Sequence, residues 1–139
     1  MGFYNSKKKL EEKVLSKDKM ILNLQKIEKL INSELSSKIK NSLIENTELL
    51  IEVDESDLID VVQFLKSNES CRFKQLIDIA GVDYPENEKR FELVYLFLSH
   101  EHNLRIKVLI KFQISQPINS LTKIFPSANW MEREVFDMY

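Results

Sequence analysis

Residues 91–112 of this chain read FELVYLFLSHEHNLRIKVLIKF and carry clear strand signals. Its first part is rich in aromatic and β-branched side chains, which favour a β-strand. Its last part alternates basic and apolar residues, so that Arg105, Lys107 and Lys111 fall on one face of a second strand. The polar residues between the two parts form a hairpin loop. The stretch therefore predicts two adjacent antiparallel strands, the second with one buried face.

Segments upstream of this hairpin add a helix and further strands. Residues 49–53 read as a strand, and residues 39–43 as a weaker one. Asp54 is predicted to cap a helix packed on the sheet. The apolar positions of that helix follow the i, i+3, i+4, i+7 pattern and are Leu58, Val61, Val62 and Leu65. Residues 73–84 fit either a short helix or a buried strand.

Further helices are predicted at both ends of the chain. Residues 6–36 form an amphipathic N-terminal helix without Gly or Pro, and residues 128–139 form a C-terminal helix. A short helix is expected at residues 118–124. The element order favours an α+β fold, with a three- to four-stranded antiparallel or mixed sheet and the helices on one face.

Charge divides the 139-residue chain into two parts. Residues 1–40 contain 10 Lys and Arg against 5 Asp and Glu, whereas residues 41–139 contain 10 against 17. We interpret the first part as a basic amphipathic helical arm and the second as the α+β domain. A basic arm can contact nucleic acid or an anionic membrane, but acidic residues dilute this one, so a solvated helix is favoured. No bilayer span and no nucleic-acid partner are expected.

The composition excludes much cofactor chemistry. Cys71 is the single cysteine, which excludes an internal disulfide, a CxxC pair and an iron–sulfur cluster held by cysteines of this chain. With 2 Gly in total, no glycine-rich phosphate loop can form. His100 and His102 could form a metal pair, but a metal site needs three or four ligands. We therefore predict a solvated loop at the histidines and no metal or cofactor site.

Aromatic and charged side chains are concentrated near the C-terminus. Such a mixture is typical of an interface, because Trp, Tyr and Arg are common interface anchors. An ordinary surface helix and acid–base catalysis by the carboxylates are the alternatives, but catalysis needs carboxylates that flank a cleft. We predict no catalytic residues and a partner interface formed by Trp130, Glu132, Arg133, Glu134, Phe136, Asp137 and Tyr139.

The same C-terminal stretch, residues 126–139 (PSANWMEREVFDMY), resembles the signature of one subunit of respiratory NADH:quinone oxidoreductase, or complex I. It is the C subunit of the bacterial enzyme and the thirty-kilodalton subunit of mitochondria. Residues 78–85 (DIAGVDYP) and residues 90–95 (RFELVY) resemble further pieces of that family, in the same order. The resemblance covers roughly residues 48–139. Met131 departs from it, because the family usually has an aromatic residue there.

The resemblance implies a cofactor-free structural or assembly subunit of the hydrophilic arm. Such a subunit packs against the hydrogenase-like large subunit of the quinone site, and supports electron transfer from NADH to quinone coupled to proton translocation. FMN, iron–sulfur clusters and quinone are then expected in partner subunits. The chain itself would be a non-catalytic part of the enzyme.

The resemblance also implies a location and leaves alternatives open. The expected location is peripheral, on the matrix side of the mitochondrial inner membrane or the cytoplasmic side of a bacterial plasma membrane. The family continues beyond Tyr139 with a basic tail, so a second polypeptide supplying that tail is an expected partner of a truncated or split chain. The alternatives are the same domain in a membrane-bound hydrogenase or ferredoxin-linked complex, and a free-standing α+β interaction domain.

Overall fold

The computed structural model describes residues 2–113 and 118–138. Within these ranges the chain forms three α-helices and five β-strands, and a 3-10 turn at Glu55–Asp57 precedes the second helix. In chain order the elements are α1 (Gly2–Glu34), β1 (Ile39–Glu45), β2 (Glu48–Val53), α2 (Leu58–Ser67), β3 (Gln75–Asp83), β4 (Phe91–Ser99), β5 (Leu104–Phe112) and α3 (Ala128–Met138).

The five strands form a mixed sheet in the order β1-β2-β5-β4-β3. Neighbouring strands are antiparallel except β2 and β5, which run parallel. This arrangement follows from α2, which carries the chain from β2 to the far edge of the sheet, from where two hairpins return it to β2. The α+β class and the mixed sheet are confirmed, but the sheet has five strands rather than three or four.

One face of the sheet carries the hydrophobic core, and the described helices pack on that face. β5 alternates as predicted: Ile106, Val108 and Ile110 are buried, whereas the side chains of the three basic residues point to the opposite face. All three helices contribute buried residues to the same cluster. The prediction of helices on one face is therefore confirmed.

The predicted α2 helix is also confirmed, but its N-terminal cap is not. The four apolar residues at its i, i+3, i+4, i+7 positions are all buried. The Asp54 side chain makes no capping hydrogen bond, because the 3-10 turn intervenes between Asp54 and the helix. Only its backbone carbonyl takes part, accepting from the Asp57 N–H at 3.0 Å.

The structure decides one ambiguous segment and contradicts one helix prediction. The ambiguous residues 73–84 form β3, which pairs with β4 and has a register shift between Leu76 and Asp78. Residues 118–124 form an irregular segment with a turn at 122–124 instead of a short helix. The sequence also predicts that Pro117 ends the strand region, because proline cannot donate to a strand ladder, and this position lies outside the described residues.

The first helix has two parts with different surroundings. Leu24, Ile27 and Ile31 are buried in the core, whereas the side chains of residues 6–19 are all exposed. No helix of the described ranges has the length and apolarity needed to cross a membrane. The C-terminal part of α1 therefore belongs to the packed unit, and its first part extends from it.

These surroundings predict different costs for two identical substitutions in α1. Leu24→Ala should lower the free energy of unfolding by about 2–5 kcal/mol, because it leaves a cavity in the core. Leu15→Ala, at a position 68% exposed, should change it by less than about 0.5 kcal/mol. Urea unfolding followed by circular dichroism measures both. Equal changes in the free energy of unfolding for the two variants would contradict the placement of α1.

Candidate interaction surface on the C-terminal helix

The inner side of α3 attaches this helix to the core. Ala128 and Val135 are buried, Met131 packs against the core, and the side chain of Glu132 is buried between them. These four residues follow the i, i+3, i+4, i+7 pattern of one helix face. The orientation of α3 is therefore fixed by its own apolar stripe and by one carboxylate.

The Glu132 carboxylate joins α3 to the irregular segment that precedes it. Its Oε1 accepts a hydrogen bond from the Leu121 backbone N–H at 2.8 Å, and its Oε2 accepts one from the Ser120 hydroxyl at 2.7 Å. Glu132 is 8% exposed and Leu121 is fully buried. The carboxylate satisfies a backbone donor that would otherwise be buried without a partner. Glu132 therefore points inward, away from the exposed surface of α3.

The irregular segment before α3 also contacts the sheet and α2. The Phe125 ring lies 5.3 Å from the Phe97 ring of β4, between centroids. The Lys66 ammonium of α2 donates to the Ile124 carbonyl at 2.6 Å. Burial raises the pKa of the Tyr95 phenol of β4, and the negative charge of Glu132 raises it further. These contacts fix α3 relative to the core.

The outer side of α3 carries most of the predicted interface residues. Trp130, Arg133, Glu134 and Asp137 follow a second i, i+3, i+4, i+7 pattern, on the side away from the core. Trp130 is 67% exposed, and Phe136, on the flank of this stripe, is 50% exposed. Tyr139 lies outside the described residues. We call the five described residues the α3 surface: Trp130, Arg133, Glu134, Phe136 and Asp137.

The charged residues of the α3 surface have no internal partners within the described ranges. The intrahelical pair between Arg133 and Asp137, which their spacing allows, is not formed there. Glu132 is buried while Asp137 is exposed on the opposite side of the helix. The carboxylates considered for acid–base catalysis therefore do not converge on one cleft.

The two histidines of the β4–β5 loop bind different neighbours. His100 Nε2 is hydrogen bonded to Gln75 Oε1, and His102 Nε2 lies 3.1 Å from the Glu69 carbonyl oxygen. Cys71 is buried, and desolvation raises the pKa of its thiol to about 11. Among the residues that the structure describes, no group of three or more His, Cys, Asp or Glu could hold a metal ion.

An ion pair joins two of the sequence pieces on which the resemblance rests. Arg90 donates to both carboxylate oxygens of Asp83, at 2.6 and 2.9 Å. The Tyr84 N–H donates to the Arg90 carbonyl at 2.7 Å. The hydrogen bonds from Arg90 lower the pKa of Asp83. These bonds join the two ends of the β3–β4 connection. Tyr84, at its start, is 42% exposed.

The fold is an α+β domain, in which a helix fixed to the core exposes aromatic and charged side chains. The sequence model of the family described as "Respiratory-chain NADH dehydrogenase, 30 Kd subunit" matches residues 51–139. The chain belongs to this family.

Curated relatives agree with this assignment, and each of them is named as the C subunit of NADH-quinone oxidoreductase. The protein from Ruegeria pomeroyi is 51% identical over 92 residues, which cover 66% of this chain and 46% of the relative. The protein from Chelativorans is 43% identical over 109 residues, covering 78% of this chain and 54% of the relative. The one from Rhodospirillum rubrum is 40% identical over 122 residues, covering 88% and 57%. The chain thus spans about half the length of the curated relatives it matches.

The inward carboxylate predicts a stability difference between two glutamates of α3. Glu132→Ala should lower the free energy of unfolding by about 2–3 kcal/mol, because the Leu121 N–H loses its charged acceptor. Glu134→Ala removes an exposed side chain and should cost less than about 0.5 kcal/mol. Glu132→Gln should cost less than Glu132→Ala, because its amide oxygen still accepts one hydrogen bond. Denaturant unfolding compares the three, and equal costs at both positions would refute the inward role.

The Asp83–Arg90 pair predicts a pH dependence. The pKa of Asp83 is lower in the folded chain than its ordinary value of 3.8, so the pair stabilises the fold above that pH. This contribution is lost as the pH falls through the folded-state pKa. Asp83→Asn should therefore lower the thermal midpoint at pH 7, and its difference from the wild type should shrink as the pH falls below 3.8. A difference between wild type and variant that persists in acid would contradict this assignment.

Proposed function

We propose that this chain is a cofactor-free structural subunit of the hydrophilic arm of an NADH:quinone oxidoreductase. It holds redox subunits in register and takes no part in the chemistry itself. The observation that carries this proposal is the α3 surface, in which Trp130, 67% exposed, lies beside Arg133, which has no ion-pair partner in the described part of the chain. Relatives named as the C subunit of NADH-quinone oxidoreductase support it.

The α3 surface has the composition of a binding site for another protein. Burial of Trp130 and Phe136 would contribute about 25 cal/mol per Å² of apolar surface removed from water. Arg133 would pair with a carboxylate of the partner. Loss of one member of a desolvated ion pair costs about 3–5 kcal/mol, against about 0–1 kcal/mol for an exposed pair. Trp130 and Arg133 are therefore the proposed anchors.

The proposed partner of this surface is the hydrogenase-like large subunit that helps to form the quinone site. FMN, iron–sulfur clusters and quinone would be bound by partner subunits, and electrons would pass from NADH to quinone, coupled to proton translocation, without entering this chain. Where the rest of the family's sequence is encoded separately, a second polypeptide would complete the subunit.

The proposed location is peripheral. The subunit would be held by its partners on the matrix side of a mitochondrial inner membrane, or on the cytoplasmic side of a bacterial plasma membrane. The bacterial relatives of this chain support an assembly associated with a membrane.

Two substitutions on α3 test this function. Trp130→Ala and Arg133→Ala should each lower the fraction of the chain in a large assembly by about tenfold or more, because each removes an anchor of the interface. Native gel electrophoresis of detergent-solubilised membranes, with mass spectrometry of the co-migrating subunits, measures this fraction. Those subunits also distinguish an NADH:quinone oxidoreductase from a membrane-bound hydrogenase or ferredoxin-linked complex.

Matched controls separate binding from folding. Leu22→Ala and Lys29→Ala replace an exposed apolar and an exposed basic residue of α1, and both should leave the assembled fraction unchanged. The unfolding midpoints of the two α3 variants should equal that of the wild type. If both α3 variants show the same assembled fraction as the wild type, the interface proposal is wrong.

A further inference from the structure

The sequence of β4 is apolar on both faces of the sheet. Leu93, Tyr95 and Phe97 are buried in the core, and the alternate residues Val94 and Leu96 point to the other face. Continuous apolar runs are typical of strands that are covered on both faces, whereas a strand with one solvated face alternates. This second face of β4 therefore has the composition of a buried surface.

Apolar side chains continue across this second face of the sheet. The strand registers place Leu43 opposite Leu50 and Val94 opposite Leu109. Leu43 is 51% exposed and Val82 is 38% exposed, while the others are partly exposed. No helix of the described ranges packs on them. We call this surface the open face and define it by six apolar residues: Leu43, Leu50, Val82, Val94, Leu96 and Leu109.

The charges beside these apolar residues are incompletely neutralised. The Lys111 ammonium lies 3.1 Å from the Glu52 carboxylate and 3.8 Å from the Glu92 carboxylate. The side chains of Glu52 and Glu92 are only 22% and 17% exposed. The hydrogen bond with Glu52 raises the pKa of Lys111, as do the weaker charge interactions with Glu52, Glu92 and the nearby Tyr84. One cation, Lys111, thus pairs with two half-buried carboxylates, so these three side chains together carry a net negative charge.

We propose that the open face binds a protein subunit that presents apolar side chains and one Lys or Arg, which pairs with Glu92. The apolar residues supply the buried area, and the shared Lys111 leaves Glu92 as the acceptor for a second cation. The inference rests on the proposed function, because the occupant is a protein of the same assembly. It adds a second surface, on the side of the sheet opposite the α3 surface.

Charge also decides against the other occupants. A second copy of this chain, packed around a two-fold axis, would bring the same surface against itself. Two Glu52–Glu92 pairs would then share two ammonium groups, and the excess negative charge would double. An anionic membrane is also disfavoured, because Lys107 and Lys111 on this face are already paired with Glu48 and Glu52, and Glu92 adds a further negative charge.

A cross-linker on the open face identifies what covers it. In cells that make the whole assembly, Val94 is replaced by p-benzoylphenylalanine, the cells are irradiated, and the cross-linked peptides are sequenced by mass spectrometry. A cross-link to an apolar segment of another protein of the assembly, with a Lys or Arg beside it, supports the proposal. A cross-link to the chain itself, or none while the chain is in the assembly, overturns it.

Two variants test the chemistry of the contact. Val94→Glu should lower the assembled fraction by about tenfold or more, because an unpaired carboxylate is costly to bury. Glu92→Gln should lower it more than Glu88→Gln, which changes an exposed glutamate of the adjacent β3–β4 connection. Equal effects of the two Gln variants would overturn the role of Glu92. Unfolding midpoints equal to that of the wild type show that these variants fold.

These outcomes are distinct from failure of the proposed function. If the wild-type chain is absent from the large assembly, both proposals fall together. If it is present and depends on Trp130 and Arg133, but the open-face variants assemble normally, the open-face inference alone is wrong.

Discussion

The packing of Phe97 against Phe125, with ring centroids 5.3 Å apart, joins the centre of the sheet to the segment that leads into α3. Phe97 belongs to the buried row of β4, on which the core is built. Phe125 is followed within three residues by the first residue of α3, Ala128, which is also buried. The position of the helix therefore depends on the sheet more than on its own helix propensity, as expected for a helix of 11 residues.

A buried carboxylate completes this attachment. Burying a charge is unfavourable unless it is well hydrogen bonded, and both oxygens of Glu132 accept hydrogen bonds from the segment before α3. The three charged residues at 132–134 thus have different roles. Glu132 fixes the helix, whereas Arg133 and Glu134 point away from the core and are exposed. A short charged motif can combine an inward structural residue with outward, exposed residues, because successive residues of a helix point in different directions.

Local patterns predicted most elements of this fold, and non-local contacts explain the rest. The alternation in β5 and the period of α2 determine their own faces, so both were predictable. β3 was ambiguous because its apolar residues are bulged against β4, which breaks the two-residue period. Residues 118–124 are not helical because Glu132 and Lys66 satisfy polar backbone groups there. The parallel pairing of β2 with β5 depends on where α2 carries the chain, which no local pattern contains.

The attachment of α3 to the core could likewise be predicted only in part from the sequence. The spacing of Ala128, Met131, Glu132 and Val135 follows a helical period, so the inward direction of Glu132 was available from the sequence. Its hydrogen-bond partners lie eleven and twelve residues upstream, and only the folded chain brings them together.

A sheet with apolar residues on both faces needs a layer on each side, and the described helices supply one of them. The α3 surface points away from the sheet, so it and the open face lie on opposite sides of the domain. Binding at one surface therefore leaves the other free for a different protein. A domain of this shape can be inserted between two neighbours as a spacer. Its stiffness would then come from the strand hydrogen bonds and the close-packed core between the two surfaces. Such stiffness is the property that a subunit needs if its role is to fix the distance between redox partners.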